Sequence, residues 1–271
     1  MCHACVIDSV KRAMISRRDL FRGAVAGTAA AAAGIAGTTS AFAATPSKVV
    51  DLTYGYDESF PTYFGAPGIS SDQRFNFAEH GFNLKVLTVN EHTGTHLDAP
   101  LHFSADGASV DQIAVENLVL PLCIVDIREK AAANADAELT PDDLKAWISA
   151  NGPIPDGACV AMNSGWQDRV SGDGFRNADS DGVMHFPGFH IEATQMLLET
   201  NAAAIGVDTL SLDYGKSGDF KTHYAWLPAG RYGIENLKSL DQLPASGATL
   251  VVGAPTHKGG TGGPARVLAL L

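Results

Sequence analysis

The chain has 271 residues, 45% of them hydrophobic, with 30 acidic against 19 basic side chains and a formal net charge of −11. That length suffices for one large domain or two small ones, and no internal break or repeat is visible. The acidity excludes a nucleic-acid footprint and any attraction to an anionic membrane, which leaves a small molecule as the expected partner.

Residues 1–43 read as an export signal. Ser16, Arg17, Arg18, Asp19, Leu20 and Phe21 form a twin-arginine pattern, residues 24–36 are an Ala- and Gly-rich apolar run, and Ala41, Phe42 and Ala43 supply a small-x-small cleavage site. The run is shorter than the ~20 apolar residues a span needs and is interrupted by Gly27 and Gly34, so a membrane anchor is not expected. Cleavage after Ala43 would leave a periplasmic domain of residues 44–271, with 14 basic against 28 acidic residues. Met14 offers a second start, which would place Cys2, His3 and Cys5 outside the protein.

In the remainder, residues 48–53 are β-branched and predict a short strand. Residues 54–71 are irregular and aromatic, with Tyr54, Tyr56 and Phe60 as candidates to stack on a planar substrate. Residues 82–90 predict a strand that leads into the histidines described below. Residues 120–127 and 158–163 are continuous apolar runs of strand length, the pattern of strands covered on both faces. Cys123 and Cys159 lie inside these two runs and are expected as buried free thiols.

Thr140, Pro141, Asp142 and Asp143 predict a helix start, with the helix running to about residue 150. Trp166 follows the second buried strand and is a further stacking candidate; residues 167–184 are a polar, Gly-rich excursion. A helix is expected over 189–200, and strands over 203–210, 248–253 and 265–271. The GGTGG stretch at 259–263 lacks the residues of a phosphate cradle and reads as a loop. Mixed strands and helices without a strict repeat predict one α/β domain whose sheet ends carry the site.

The chemistry concentrates in residues 91–103, EHTGTHLDAPLHF. His92, His96, Asp98 and His102 fall within eleven residues, all groups that bind a divalent cation or move a proton near neutral pH. In an extended segment, His92, His96 and Asp98 leave the same face, and Pro100 bends the chain so that His102 approaches from another direction. The plain alternative is an edge strand with a polar wet face. His80, His185, His190 and His257 stand apart and are expected to be structural or solvated, and Asp208 and Asp213 could steady a ligand histidine.

HTGTHLDAPLH resembles the HxGTHxDxPxH signature of the metal-dependent cyclase family, whose branches include kynurenine formamidase, isatin hydrolase and a dienelactone hydrolase. Every fixed position is matched, by His92, Gly94, Thr95, His96, Asp98, Pro100 and His102. The resemblance extends through SGW at 164–166, FPG at 186–188, IGVDTLSLD at 205–213, IENL at 234–237 and the Gly-rich ending. It implies a single-domain swivelling β/β/α fold and assembly as a homodimer or homotetramer. It also implies that His92, His96 and Asp98 hold one cation, that His223 and Glu235, twelve apart, hold a second bridged by Asp98, and that His102 is catalytic. The isatin-hydrolase branch uses a single ion, so one or two ions of Zn2+ or Mn2+ are expected, with affinity order favouring zinc.

A cation so held acidifies water to a pKa of about 7 and polarises a carbonyl. His102, with an ordinary pKa of about 6.5, would take the water proton and return it to the leaving atom. The expected activity is therefore hydrolysis of the C–N bond of a small cyclic or aryl amide. The alternatives are a lactone or ester hydrolase and a non-catalytic periplasmic metal or ligand carrier, which would have no use for His102.

Overall fold

Each β-branched or continuously apolar run read from the sequence forms a strand in the computed structural model, which describes residues 45–271. The export signal assigned to residues 1–43 lies outside the described residues. Strands β1 (Val49–Asp51), β5 (Val119–Asp126), β7 (Cys159–Asn163), β9 (Ala204–Val207), β11 (Ala248–Gly253) and β13 (Arg266–Leu270) appear where expected. They are completed by β4 (His96–Asp98), β10 (Tyr232–Glu235) and β12 (Gly262–Pro264) into a nine-stranded sheet. Its order is β1-β13-β11-β5-β7-β9-β10-β4-β12. The central strands β5, β7, β9 and β10 run parallel, and the flanking pairs are antiparallel.

The central strands are apolar throughout because both faces are covered. Leu122, Ile124, Cys159 and Ala161 enter one core, while Cys123, Val125, Val160 and Met162 enter the other. The two cysteines are both buried and free. They point to opposite faces of neighbouring strands, which leaves no geometry for a disulfide. The second core is capped by α3 (Pro141–Asn151) through Leu144 and Trp147, α4 (Ile191–Leu198) through Ala193 and Leu197, and α5 (Lys221–Trp226) through Trp226. Asp143 accepts from the Thr140 backbone N–H at 2.7 Å, which closes the start of α3 as its sequence implies.

The first core draws on both ends of the sheet, with Val50 from β1 and Leu97 from β4 in one cluster. The sheet therefore curls. Thr53 bridges to Leu237, and the Tyr54 N–H donates to Thr95 Oγ1 at 2.9 Å, so the two ends close on one another beside the histidines.

Three parts differ from the sequence expectation. The run at 82–90 is a strand, β3 (Leu84–Val89), but it pairs only with β2 (Ile69–Phe75), whose first residues lie in the stretch read as irregular. The two form an exposed ribbon tipped by the short helix α1 (Phe77–His80). The GGTGG loop contributes β12, a three-residue strand on β4. Helix α2 (Arg128–Ala133), the two-stranded pair β6 (Glu138–Leu139) with β8 (Gly188–Phe189), and α5 and β10 are also beyond the sequence expectation. The two- and three-residue strands β6, β8 and β12 are fixed by pairing, and α2 has six residues, too few in each case to show a period.

Candidate metal centre

The signature loop turns at Gly94, whose φ of +65° is a conformation that L side chains rarely adopt. The chain then enters β4, where His96 and Asp98, two residues apart, share a face. His92 stands in the bend before it, so its convergence with them comes from the Gly94 turn and not from one continuous strand. On the neighbouring strand β10, Glu235 lies opposite His96. Helix α5 supplies His223, and the 3-10 turn Pro100–Phe103 carries His102.

These side chains meet. Asp98 Oδ1 lies 2.7 Å from His92 Nδ1 and 3.3 Å from His96 Nε2, and its Oδ2 lies 3.6 Å from His223 Nε2. Glu235 completes the ring, with one oxygen 3.3 Å from His96 Nε2 and the other 3.3 Å from His223 Nε2. His102 stacks on His92 with ring centroids 3.9 Å apart. The nearest donor atoms of Asp98, His102 and His223 all fall within 4.8 Å of one another.

The far sides of the rings are fixed. His96 Nδ1 lies 2.9 Å from the Gly94 carbonyl, which makes that nitrogen the N–H and leaves Nε2 to face the centre. Asn236 also donates to that carbonyl, at 2.8 Å. His223 Nδ1 lies 2.6 Å from Asp213 Oδ2, and Asp213 accepts the backbone N–H groups of Thr222 and His223 as well. Asp213 thus steadies a ligand histidine, whereas Asp208 binds Ser164 and Trp166 elsewhere.

The donor set fits a divalent cation. His96 Nε2 and Asp98 Oδ2 are buried without any hydrogen-bond partner, a costly state for two polar atoms unless something else joins them. His96 Nε2 is close to two carboxylates and aligned with neither. Burial would lower the pKa of His96, but its contacts with Asp98 and Glu235 outweigh that and raise it to about 10. The same competition between burial and the carboxylates of Asp213, Asp98 and Glu235 raises His223. Asp98 is held well below the usual carboxylate range, since His223, His92 and His96 overcome its burial. The cavity therefore attracts positive charge strongly. His102 is the exception, because burial dominates there and pushes it down to about 4.

The stacking candidates separate. Trp166 is 1% exposed and its indole N–H donates to the Phe175 carbonyl at 2.8 Å. It packs with Phe60 and Phe175 in a third cluster that the half-buried Tyr54 covers, so Trp166 and Phe60 anchor the 167–184 excursion and are closed to a ligand. Tyr56 stays half-buried against Gly94. Sequence reasoning missed the rings that do border the centre: Phe103 lies 4.6 Å and Phe220 5.8 Å from the His223 ring. Tyr224 packs on Phe103 and Tyr63 on Phe220. Only the adjacency of Phe103 to His102 could have signalled this wall. Of the remaining histidines, His80 and His257 are exposed, His185 bridges Asp136 and Asp179, and His190 caps α4.

A family model described as "Putative cyclase" matches residues 50–214. Isatin hydrolase from Roseibium aggregatum is 34% identical over 200 residues, spanning 70% of this chain and 75% of that protein. Kynurenine formamidase from Salinibacter ruber is 29% identical over 198 residues, spanning 72% and 83%. Among solved structures, isatin hydrolase A from Labrenzia aggregata bound to benzyl benzoate matches with a TM-score of 0.78 at 36% identity, over 83% of this chain and 93% of that one. With the family model covering more than half of its length and a relative above 30% identity, this chain belongs to the cyclase family.

Proposed function

We propose that this chain is a metal-dependent hydrolase that cleaves the C–N bond of a small cyclic or aryl amide with water. The observation that carries this reading is the convergence of His92, His96, Asp98, His223 and Glu235 at one point, where His96 Nε2 and Asp98 Oδ2 are buried and unpaired, with a sixth group, His102, stacked on His92. Two of the relatives are named for isatin hydrolysis and kynurenine formamide hydrolysis, which supports an amide substrate on an aromatic ring.

His92, His96 and Asp98 would hold one cation, and His223 and Glu235 would hold another bridged by Asp98. Borderline imidazole and carboxylate donors suit zinc or manganese, and affinity order favours zinc. A divalent cation there supplies acidified water and a polarised carbonyl. The protein supplies the rest. His102, low in pKa and free of a proton at neutral pH, accepts the proton that the attacking water gives up and returns it to the leaving nitrogen. Phe103 and Phe220 wall the centre with apolar surface, which excludes bulk water and fits a planar ring. Asp213 and the Gly94 carbonyl keep the two buried imidazoles in register.

The twin-arginine pattern supports export to the periplasm, so the substrate would arise outside the cytoplasm. Homo-oligomer formation is supported by the β2–β3 ribbon, where Phe77 is 68%, Phe82 49% and Leu87 54% exposed. An apolar surface of this kind on a two-stranded ribbon calls for a partner, and a second copy is the one we assign. Purified protein assayed against isatin, an aryl formamide and a dienelactone tests the reaction class. Turnover of the first or second supports the reading; turnover of the dienelactone alone overturns it in favour of an ester or lactone hydrolase.

A further inference from the structure

His92 turns one ring nitrogen toward the centre and the other toward the loop that closes the chain. Its Nδ1 faces Asp98 Oδ1 at 2.7 Å, and its Nε2 lies 3.1 Å from Thr261 Oγ1. The Thr261 hydroxyl in turn meets Glu91 Oε2, and the Thr261 backbone N–H points at the same carboxylate, 3.2 Å from each oxygen. His257 Nε2 holds the other side of Glu91 at 2.6 Å.

The polarity of this chain of contacts is determined. An ionised carboxylate only accepts, so the single hydroxyl proton of Thr261 goes to Glu91. The Thr261 oxygen is left to accept from His92, whose Nε2 must then carry hydrogen. In the neutral ring that a cation requires, Nδ1 is then the lone pair aimed at Asp98 Oδ1, an arrangement that repels unless a positive charge joins the two atoms, a proton in the metal-free protein or the cation when it is bound. We propose that Glu91 and Thr261 are positioning residues of the metal centre, fixing His92 as the Nε2–H tautomer with Nδ1 presented to the cation. This rests on His92 being a ligand, as in the function proposed above.

The Gly-rich stretch at 259–263 thereby acquires a role. A Cβ on Gly262 would stand 2.9 Å from His92 Cε1 and 2.3 Å from the Leu97 carbonyl, and one on Gly260 would stand 2.8 Å from Glu91 Oε1. Only bare backbone lets Thr261 approach the ring this closely. The pairing of Gly262 with Asp98 in β12 and β4 sets the register of the approach.

The test uses Thr261→Val, Thr261→Ser, Glu91→Gln and His92→Ala, each measured for Zn2+ affinity by chelator competition and for the visible absorption spectrum of the Co2+-loaded protein. Orienting partners of ligand histidines are typically worth ~10–100-fold in metal affinity, and that loss is expected for Thr261→Val and Glu91→Gln, with an altered cobalt spectrum. Thr261→Ser keeps the hydroxyl and should restore both. A role confined to anchoring the loop would leave the spectrum unchanged. Should Thr261→Val fail to fold, the isosteric Glu91→Gln carries the same expectation. Loss of affinity in His92→Ala, with wild-type affinity and spectrum in Glu91→Gln and in any folded Thr261→Val, overturns the positioning role alone. Wild-type affinity in His92→Ala overturns the ligand assignment and the positioning role with it.

Discussion

His102 differs from His96 and His223 in what surrounds it. The latter two face carboxylates at close range and bind protons tightly, whereas His102 is pressed between the His92 ring and Phe103 and is pushed down to about 4. The first are therefore suited to hold a cation, while the last stays unprotonated at neutral pH with its ring open to a proton. Replacing His102 with Ala should leave metal content intact and lower kcat roughly a hundredfold or more, the usual worth of a positioned acid or base; elemental analysis beside steady-state kinetics checks this. Unchanged turnover would remove His102 from the reaction. The elevated His96 has a separate consequence for the metal-free protein. Its folded pKa of about 10 lies above the ordinary 6.5, so its contribution to stability is fully present below 6.5 and is lost as pH rises toward 10. Thermal melts of chelator-treated protein should accordingly show Tm falling across that window, and a flat profile would contradict the carboxylate field described here.

Among the elements, the three-residue strand β4 does the most with the least sequence. Its extended character is legible in the sequence, but its limit to His96–Asp98 and its pairing with β10 and β12 are not, because three residues are too few to show a period. The longer runs behind β5 and β7 were legible, since Val, Ile, Leu, Cys and Met in sequence mean cover on both faces. The 167–184 excursion illustrates the opposite case. Its polar, Gly-rich composition reads as loop, yet Phe175 and Met184 plug it into the cluster built on Trp166 and Phe60. From sequence alone Trp166 is equally a candidate to stack on a planar ring or to pack, and nothing in the sequence reveals that Phe175 covers it. The Trp166→Ala variant should lose roughly 3–5 kcal/mol of stability while retaining its metal, as read by denaturant unfolding and elemental analysis. A loss of substrate affinity with unchanged stability would return Trp166 to the pocket.

At the scale of the whole molecule, curling of the sheet places β1 and the 53–54 segment against the signature loop and brings α5 and β10 to the same point. The local half of the centre was legible in the sequence, as four ligand-type groups within eleven residues. His223 and Glu235 were legible only through resemblance, because a helix and a strand more than a hundred residues downstream carry no local signal. Of the aromatic wall only Phe103, next to His102, has a local signal; Phe220 and Thr261 have none, since both depend on how the curled sheet closes. The exposed ribbon predicts assembly: light scattering should report a dimer or larger, and the double variant Phe77→Ser, Phe82→Ser should shift it toward monomer. A monomeric wild type would refute a second copy as the ribbon's partner. The most direct measurement is hydrolysis of isatin or an aryl formamide by protein stripped with a chelator and then reloaded with Zn2+ or Mn2+. Activity should vanish on stripping and return on reloading; verified metal-free protein that hydrolyses its substrate at the untreated rate would contradict a catalytic cation held by His92, His96 and Asp98.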